Sequence, residues 1–483
     1  MAGFKHGVYT GEQATGLLAP VETNAALPVY FGTAPVHLAS EPAAANRPVL
    51  CYGMDEAVAA FGYSEDWSKY TLCEAMFAHF QVYNRCPIVL VNVLDPATHK
   101  TAVPQTEKSI GNDGTVVLND PVILSTLVVK KTSSGDALVD GTDYSVAYND
   151  DEECVISVLE GGALDGEVKM FVNYDKLNAS AVTSSDIIGG IDSTTGKAKG
   201  LEVLEDVFPL TRMVPGNVLA PGWSETPAVA AVMKAKASLI NETFVAEAIC
   251  DIPTGTVKKY TDAPAWKNSN NYASEWQIVG WPMGKVGDYK LHMSTVYMGT
   301  MMVTDSNNDD VPSVSPSNKD ANLTGICLAD GTEVVLDLGK ANYLNGNGIV
   351  TAYNFVNGWT AWGNCTGCYP GNTDPKDFFI PIRRMFNWMR NNFILTFWQK
   401  VDDPTNKRLI HTVVDTYNIM LNGLTAAGKI LGGRIEFNDA ENPATSLIGG
   451  KLKFHIHQAP PPPAQEISAV FEYDPSYLNT LFS

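Results

Sequence analysis

The chain of 483 residues has no run of eighteen or more apolar residues, so nothing in it reads as a membrane-spanning helix. Residues 1–10 lack the apolar core of an export signal, and synthesis and folding in the cytoplasm are therefore expected. Basic charge is scarce. Lys and Arg number 33 against 53 Asp and Glu, for a formal net charge of -20 and a pI near 4.8. Phosphate backbones bind basic surfaces, so nucleic acid is not expected as a main partner, although a local basic patch remains open. Cysteines are few and scattered, eight in all. Several stand inside apolar runs, as Cys250 does after Ala248 and Ile249. These behave as small buried hydrophobes, and no disulfide framework is expected in a reducing compartment.

Catalytic and metal-binding patterns are also missing. Cys365-Thr366-Gly367-Cys368 has the spacing of a redox or zinc half-site but no second pair. His455 and His457 share a strand face with Lys451 and Lys453, which would repel a cation, so a solvated or interface face is the better reading. The stretch 305–310 opens like a calcium loop, but Asp310 replaces the turn glycine and Pro316 stands where the bidentate carboxylate belongs. Gly222-Trp223-Ser224-Glu225-Thr226 starts like a nucleophile elbow and ends in Thr226 instead of glycine. Gly346-Asn347-Gly348 is too short for a dinucleotide or phosphate fingerprint. No catalytic residue, cofactor-binding residue or metal ligand is predicted, and no enzyme activity.

What is present is patterned secondary structure. With 45% hydrophobic and 18% charged residues, a chain this long predicts two or three globular domains. From residue 27 the pattern is α/β. Short apolar strands are predicted at 29–31 and 49–52, a helix at 71–84, and a fully buried strand at 88–94. Between 111 and 174, short β-type runs at 116–118, 127–130, 144–148, 154–159 and 168–173 alternate with turn signals such as Asn112-Asp113-Gly114, which predicts a β-sandwich. Residues 100–180 hold six basic and fourteen acidic side chains, a net of -8, as befits an insertion on an outer surface. The α/β pattern then resumes, with a helix at 228–240, strands at 245–252 and 277–281, and a helix at 289–303. Loops are expected at 305–321 and 357–373. Two amphipathic helices follow: one carries Ile382, Met385, Phe386, Met389, Phe393 and Phe397 behind Pro381, the other spans 410–424.

Two strands have no partner nearby in sequence. Gly7, Val8, Tyr9 and Thr10 form the first. Ile467, Ala469, Phe471 and Tyr473 form one face of the second, beyond the stiff spacer Pro460 to Pro463. Each must pair at a distance or with another chain. One basic stretch also stands out: residues 376–408 hold seven basic side chains against three acidic ones in this acidic protein. It is either a solvated helix face or a docking surface for an acidic partner.

Several blocks resemble the contractile-tail sheath proteins of P2-like and Mu-like phages and of tailocins. They include Ser315-Pro316-Ser317-Asn318-Lys319, Leu344-Asn345-Gly346-Asn347-Gly348, Trp362-Gly363-Asn364, Phe379-Ile380-Pro381-Ile382-Arg383-Arg384, Thr396-Phe397-Trp398-Gln399-Lys400 and Glu472-Tyr473-Asp474-Pro475. Upstream, Leu219-Ala220-Pro221-Gly222-Trp223-Ser224 and His6-Gly7-Val8-Tyr9 also match. The resemblance runs over residues 1–95 and 181–483; the acidic β-module departs from it.

The resemblance implies an α/β (α+β) core assembled from N- and C-terminal segments and extended terminal β-arms, into which the strand pattern sets an inserted all-β sandwich. The divisions expected are 1–26 for the N-terminal arm, 27–97 for the first core segment and 98–180 for the insert. The core continues over 181–457, and 458–483 holds the spacer and C-terminal arm. It implies subunits stacked as hexameric rings into a helical sheath around a tail tube, with baseplate and tail-terminator proteins as further partners. No nucleic acid, cofactor or membrane insertion is implied. Such a particle would be assembled in the host cytoplasm and would drive its tube through a cell envelope by contracting. Arg383, Arg384, Arg390 and Lys400 are the expected tube-facing residues, because charge contacts weaken as a sleeve widens. A different class stays open: a secreted binding protein or hydrolase with a β-sandwich accessory module. A shell protein would, like it, need an export signal.

Overall fold

The computed structural model describes residues 25–482. Its centre is a six-stranded sheet. The strands are β1 (Pro28–Gly32), β2 (Pro48–Cys51), β3 (Ile88–Asn92), β4 (Asn217–Leu219), β5 (Glu247–Asp251) and β6 (Gln277–Gly280), in the order β6-β5-β4-β1-β3-β2. All neighbours are parallel except β2, which runs antiparallel to β3 at the edge. Every residue of β1, β3 and β5 is buried, as continuous apolar runs in a sheet covered on both faces require. The sheet joins the two halves of the chain: β1 to β3 come from before residue 93, β4 to β6 from after residue 216.

Five helices matter below. They are α1 (Leu72–Phe77, continued by a π turn Ala78–Val82), α2 (Pro227–Ser238), α3 (Met293–Ser306), α4 (Ile380–Phe397) and α5 (Lys407–Ala426). α1 packs on β1, α2 on β4 and β5, and α3 on β5 and β6. α3 approaches the π turn closely because Gly299 leaves space; a Cβ there would stand 2.2 Å from the Tyr83 ring.

Residues 100–177 leave the sheet after β3 and fold into two three-stranded antiparallel sheets. Between them lies a separate apolar core that includes Val116, Val129, Ile156, Met170 and Val172. The five expected strands are present. A sixth, Lys100–Ser109, pairs along the edge of the long strand Lys169–Leu177, and its residues are nearly all exposed. Such a polar strand has no apolar alternation to reveal it.

α4 and α5 share a further core of Met385, Trp388, Met389, Val413, Tyr417 and Leu421. Four expectations are corrected here. The helix expected from residue 289 begins at Met293, and Tyr289–Leu291 is instead a strand in a hairpin with Met283–Val286. Part of the expected loop at 357–373 is strand: Gly358–Trp362 pairs with Thr351–Phe355. The strand expected from Lys451 starts at His455. The loop expected from 305 begins only after Ser306, since Asp305, turned inward, belongs to the last turn of α3.

Candidate functional site

Two places on the molecule carry the expected interaction residues. The first is α4. Pro381 opens it, where a missing N–H costs nothing. Its first three turns are buried nearly all round, and Arg383 and Arg384 are enclosed with them. The guanidinium of Arg384, 3% exposed, makes a two-pronged pair with Asp305 of α3, Nη1 to Oδ1 at 3.0 Å and Nη2 to Oδ2. Arg383 lies over the Trp276 ring at 4.7 Å. Its Nε donates to Asn387 at 3.2 Å, and its Nη1 stands 3.4 Å from Asp377.

One turn on, Asn387 donates to Glu247 of β5 at 3.2 Å, and Asn391 exchanges two hydrogen bonds with the backbone of Val245. Burial pushes the Glu247 carboxyl up to about 7, with Arg384 and Arg383 opposing the rise. This polar ladder fastens α4 to the sheet and to α3. Arg383 and Arg384, expected on an open helix face, are therefore buried in the subunit: acidic partners in the same chain hold them. Arg390 is exposed, and Lys400 is part-exposed beside Asp403 at 3.0 Å. Sequence reasoning put Arg383 on an open face by taking its charge for a solvated one, although Asp377 and Asn387 stand close in sequence; the partner of Arg384, Asp305, lies 79 residues away. The spacing of Arg383, Asn387 and Asn391, one polar residue per turn, was the available signal of a buried polar ladder.

The second place is the C-terminal segment. Among the described residues, 460–474 form no strand. Ile467, Ala469, Val470, Phe471 and Tyr473 are all exposed, Phe471 at 95%. The expected strand Gly7, Val8, Tyr9 and Thr10 lies outside the described residues. A short sheet offers pairing sites: Gly432–Glu436 and His455–Ala459 pair antiparallel and have no third strand among the described residues. The sheet lies on α5, and Gly433 permits this, since a Cβ there would stand 2.9 Å from Leu421.

The paired histidines and cysteines meet groups of their own subunit. His455 and His457 stack at 4.6 Å and face Glu441 and Glu436, at 3.4 and 3.7 Å. Cys365 and Cys368 are buried, and burial pushes the Cys365 thiol up to about 12, away from the reactive thiolate. Among the described residues no group of three or more His, Cys, Asp or Glu is arranged to hold a metal ion.

A cluster without any sequence signature lies at the carboxyl end of the sheet. There His292 meets Glu74 at 2.6 Å, Glu225 stands 4.0 Å from the same ring, and Asp251 accepts from Ser294.

No family model matches the chain. It is 28% identical over 493 aligned residues to the tail sheath protein of Burkholderia phage BcepMu, covering 99% of both chains. Among solved structures it is similar to the helical sheath of the anti-feeding prophage in its contracted state, with a TM-score of 0.59 at 15% identity over 97% of this chain and 99% of that one. It is also similar to the contracted sheath complex of the extracellular contractile injection system PVC, with a TM-score of 0.56 at 14% identity over 99% of each. At these identities the structural likeness establishes the fold alone.

Proposed function

We propose that this chain, a homologue of contractile-tail sheath proteins along its whole length, is the structural subunit of such a sheath. The observation that carries the proposal is the end-to-end alignment, which spans core, insert and both termini with 99% of each chain covered. A shared domain alone would align only in part. The subunits stack as hexameric rings into a helical sleeve around a tail tube, meet baseplate and tail-terminator proteins at its ends, and drive the tube through an envelope on contraction. The energy for this lies in two packings of folded subunits, which requires differential contacts in the two states and no cofactor. The particle is assembled in the host cytoplasm.

The arms supply the links. The two-stranded sheet on α5 has outer edges with no partner strand among the described residues, and an added strand can pair with such an edge. The sheet of Gly432–Glu436 and His455–Ala459 is a suitable acceptor for the segment around Ile467 to Tyr473 of a neighbouring copy, and the segment around Gly7 to Thr10 acts likewise. Arg390 and Lys400 remain the candidates for contact with an acidic tube. Residues 98–180 form an outward module between the two core segments, 27–97 and 181–457. Replacing the module with a short Gly/Ser linker is expected to preserve assembly; loss of assembly with the remainder folded would put the module in an essential contact.

Negative-stain microscopy of the purified full-length protein tests the function itself. Long hollow cylinders are expected, and a dispersed monomer at all concentrations would refute it.

A further inference from the structure

Open, mostly parallel α/β sheets take their ligands in the crevice beyond the carboxyl ends of the strands. In this chain that region is filled from within. Three elements converge there: α1 brings Glu74, the loop after β4 brings Glu225, and the last residue of β5 is Asp251. They surround His292, the residue before α3. Glu74 accepts from His292 twice, from the backbone N–H at 2.7 Å and from Nδ1 at 2.6 Å. The other ring nitrogen, Nε2, stands 4.0 Å from Glu225. Asp251 accepts from the backbone N–H of Ser294 at 2.8 Å and from the hydroxyls of Ser294 and Ser224. Two carboxylates thus satisfy amides at the start of α3, which would otherwise have no partner within the helix.

The charge count is uneven. Three carboxylates meet one imidazole, and Glu74 is 3% exposed. The nearest basic residue in sequence, Lys290, points elsewhere and donates to the carbonyl of Ala329 at 2.7 Å. A buried carboxylate without a cation is costly, so the fold favours a charged His292. We propose that His292 is the internal counter-cation of this end of the sheet, and that loss of its proton is an alkaline-sensitive switch that loosens α3 from β5 and α1. The crevice where related sheets seat an external ligand is here closed by an ion cluster that pH can open. The proposal concerns the single subunit and stands whether or not the chain forms a sheath.

The titration behaviour fits this geometry. Burial alone would lower the His292 pKa, but Glu74, Asp251 and Glu225 together outweigh it and carry it up to about 10. Burial pushes Glu225 up to about 7, with His292 opposing, and raises Asp251 as well. A raised histidine pKa gives stability that is full below its ordinary value of about 6.5 and is lost as pH rises towards 10. Glu225 loses its contribution earlier, between about 4.5 and 7. The interval above pH 7 therefore reads His292 and not Glu225.

Thermal melts of the full-length chain between pH 7 and 10, for wild type and His292→Gln, test the switch. The glutamine keeps a donor for Glu74 but does not titrate. Wild type is expected to melt higher at pH 7 and to lose Tm more steeply, so that the two curves converge near pH 10. Parallel curves would overturn the proposal. Should His292→Gln fail to fold, histidine-selective NMR on wild type decides. One of the eight histidines should titrate well above the ordinary value, and all eight titrating at or below it would overturn the proposal.

Discussion

Arg384 and Phe471 each stand in surroundings that their own chemistry disfavours: Arg384 is 3% exposed and Phe471 95% exposed. The two cases resolve differently. Arg384 has its partner inside the same subunit, since Asp305 meets it with both oxygens. Phe471 has none among the described residues, and Ile467, Val470 and Tyr473 stand out in solvent with it. A buried charge that is fully paired is an internal joint. A row of exposed apolar side chains beyond a proline spacer is what the proposed contact with another copy would cover. The sequence patterns alone suggest the opposite emphasis, with the arginines as the surface feature.

The largest expected effect comes from removing the exposed member. A chain truncated after Pro463 should stay folded, with an unchanged circular dichroism melt, and should form no cylinders in negative stain. Cylinders from the truncated chain would break the comparison, because the exposed row would then link nothing.

Next comes the buried member. Arg384→Met leaves the Asp305 carboxylate buried without a cation, which should cost about 3–5 kcal/mol in urea unfolding. Adding Asp305→Leu should recover most of that loss, since a well-packed apolar pair can replace a buried ion pair. A single mutant as stable as wild type would mean that Arg384 is not held as described.

The smallest effect sharpens the contrast between arginines on one helix. Arg390→Glu, at an exposed position of α4, should change stability by less than about 0.5 kcal/mol. It should weaken tube co-sedimentation, most of all at low salt, where screening is least. Equal binding at low salt would return Arg390 to an ordinary solvated face.

Five of the six central strands were legible as short apolar runs, such as Ile88–Asn92, flanked by turn residues, whereas Asn217–Leu219 is too short to stand out. The two C-terminal helices were legible from their apolar spacing. Gly358–Trp362 was not, because Asn357, Gly358 and Gly363 read as loop, whereas Trp359, Thr360 and Ala361 face partners set by the preceding strand. Lys100–Ser109 was hidden by its polarity. The joint at Arg384 was hidden by distance: Asp305 lies 79 residues away, and no local pattern reports a contact of that separation. For the same reason nothing near His292 announces Glu74, which lies 218 residues before it. Charge on a helix reads as surface until the rest of the fold supplies a counter-charge.

Hydrogen exchange across residues 466–474, compared between dispersed subunits and assembled cylinders, tests the account most directly. Amides that exchange freely in the subunit should become protected by backbone pairing in the polymer, while those around Arg384 should be equally slow in both. Unprotected amides at 466–474 in intact cylinders would contradict the claim that this segment is the link between copies.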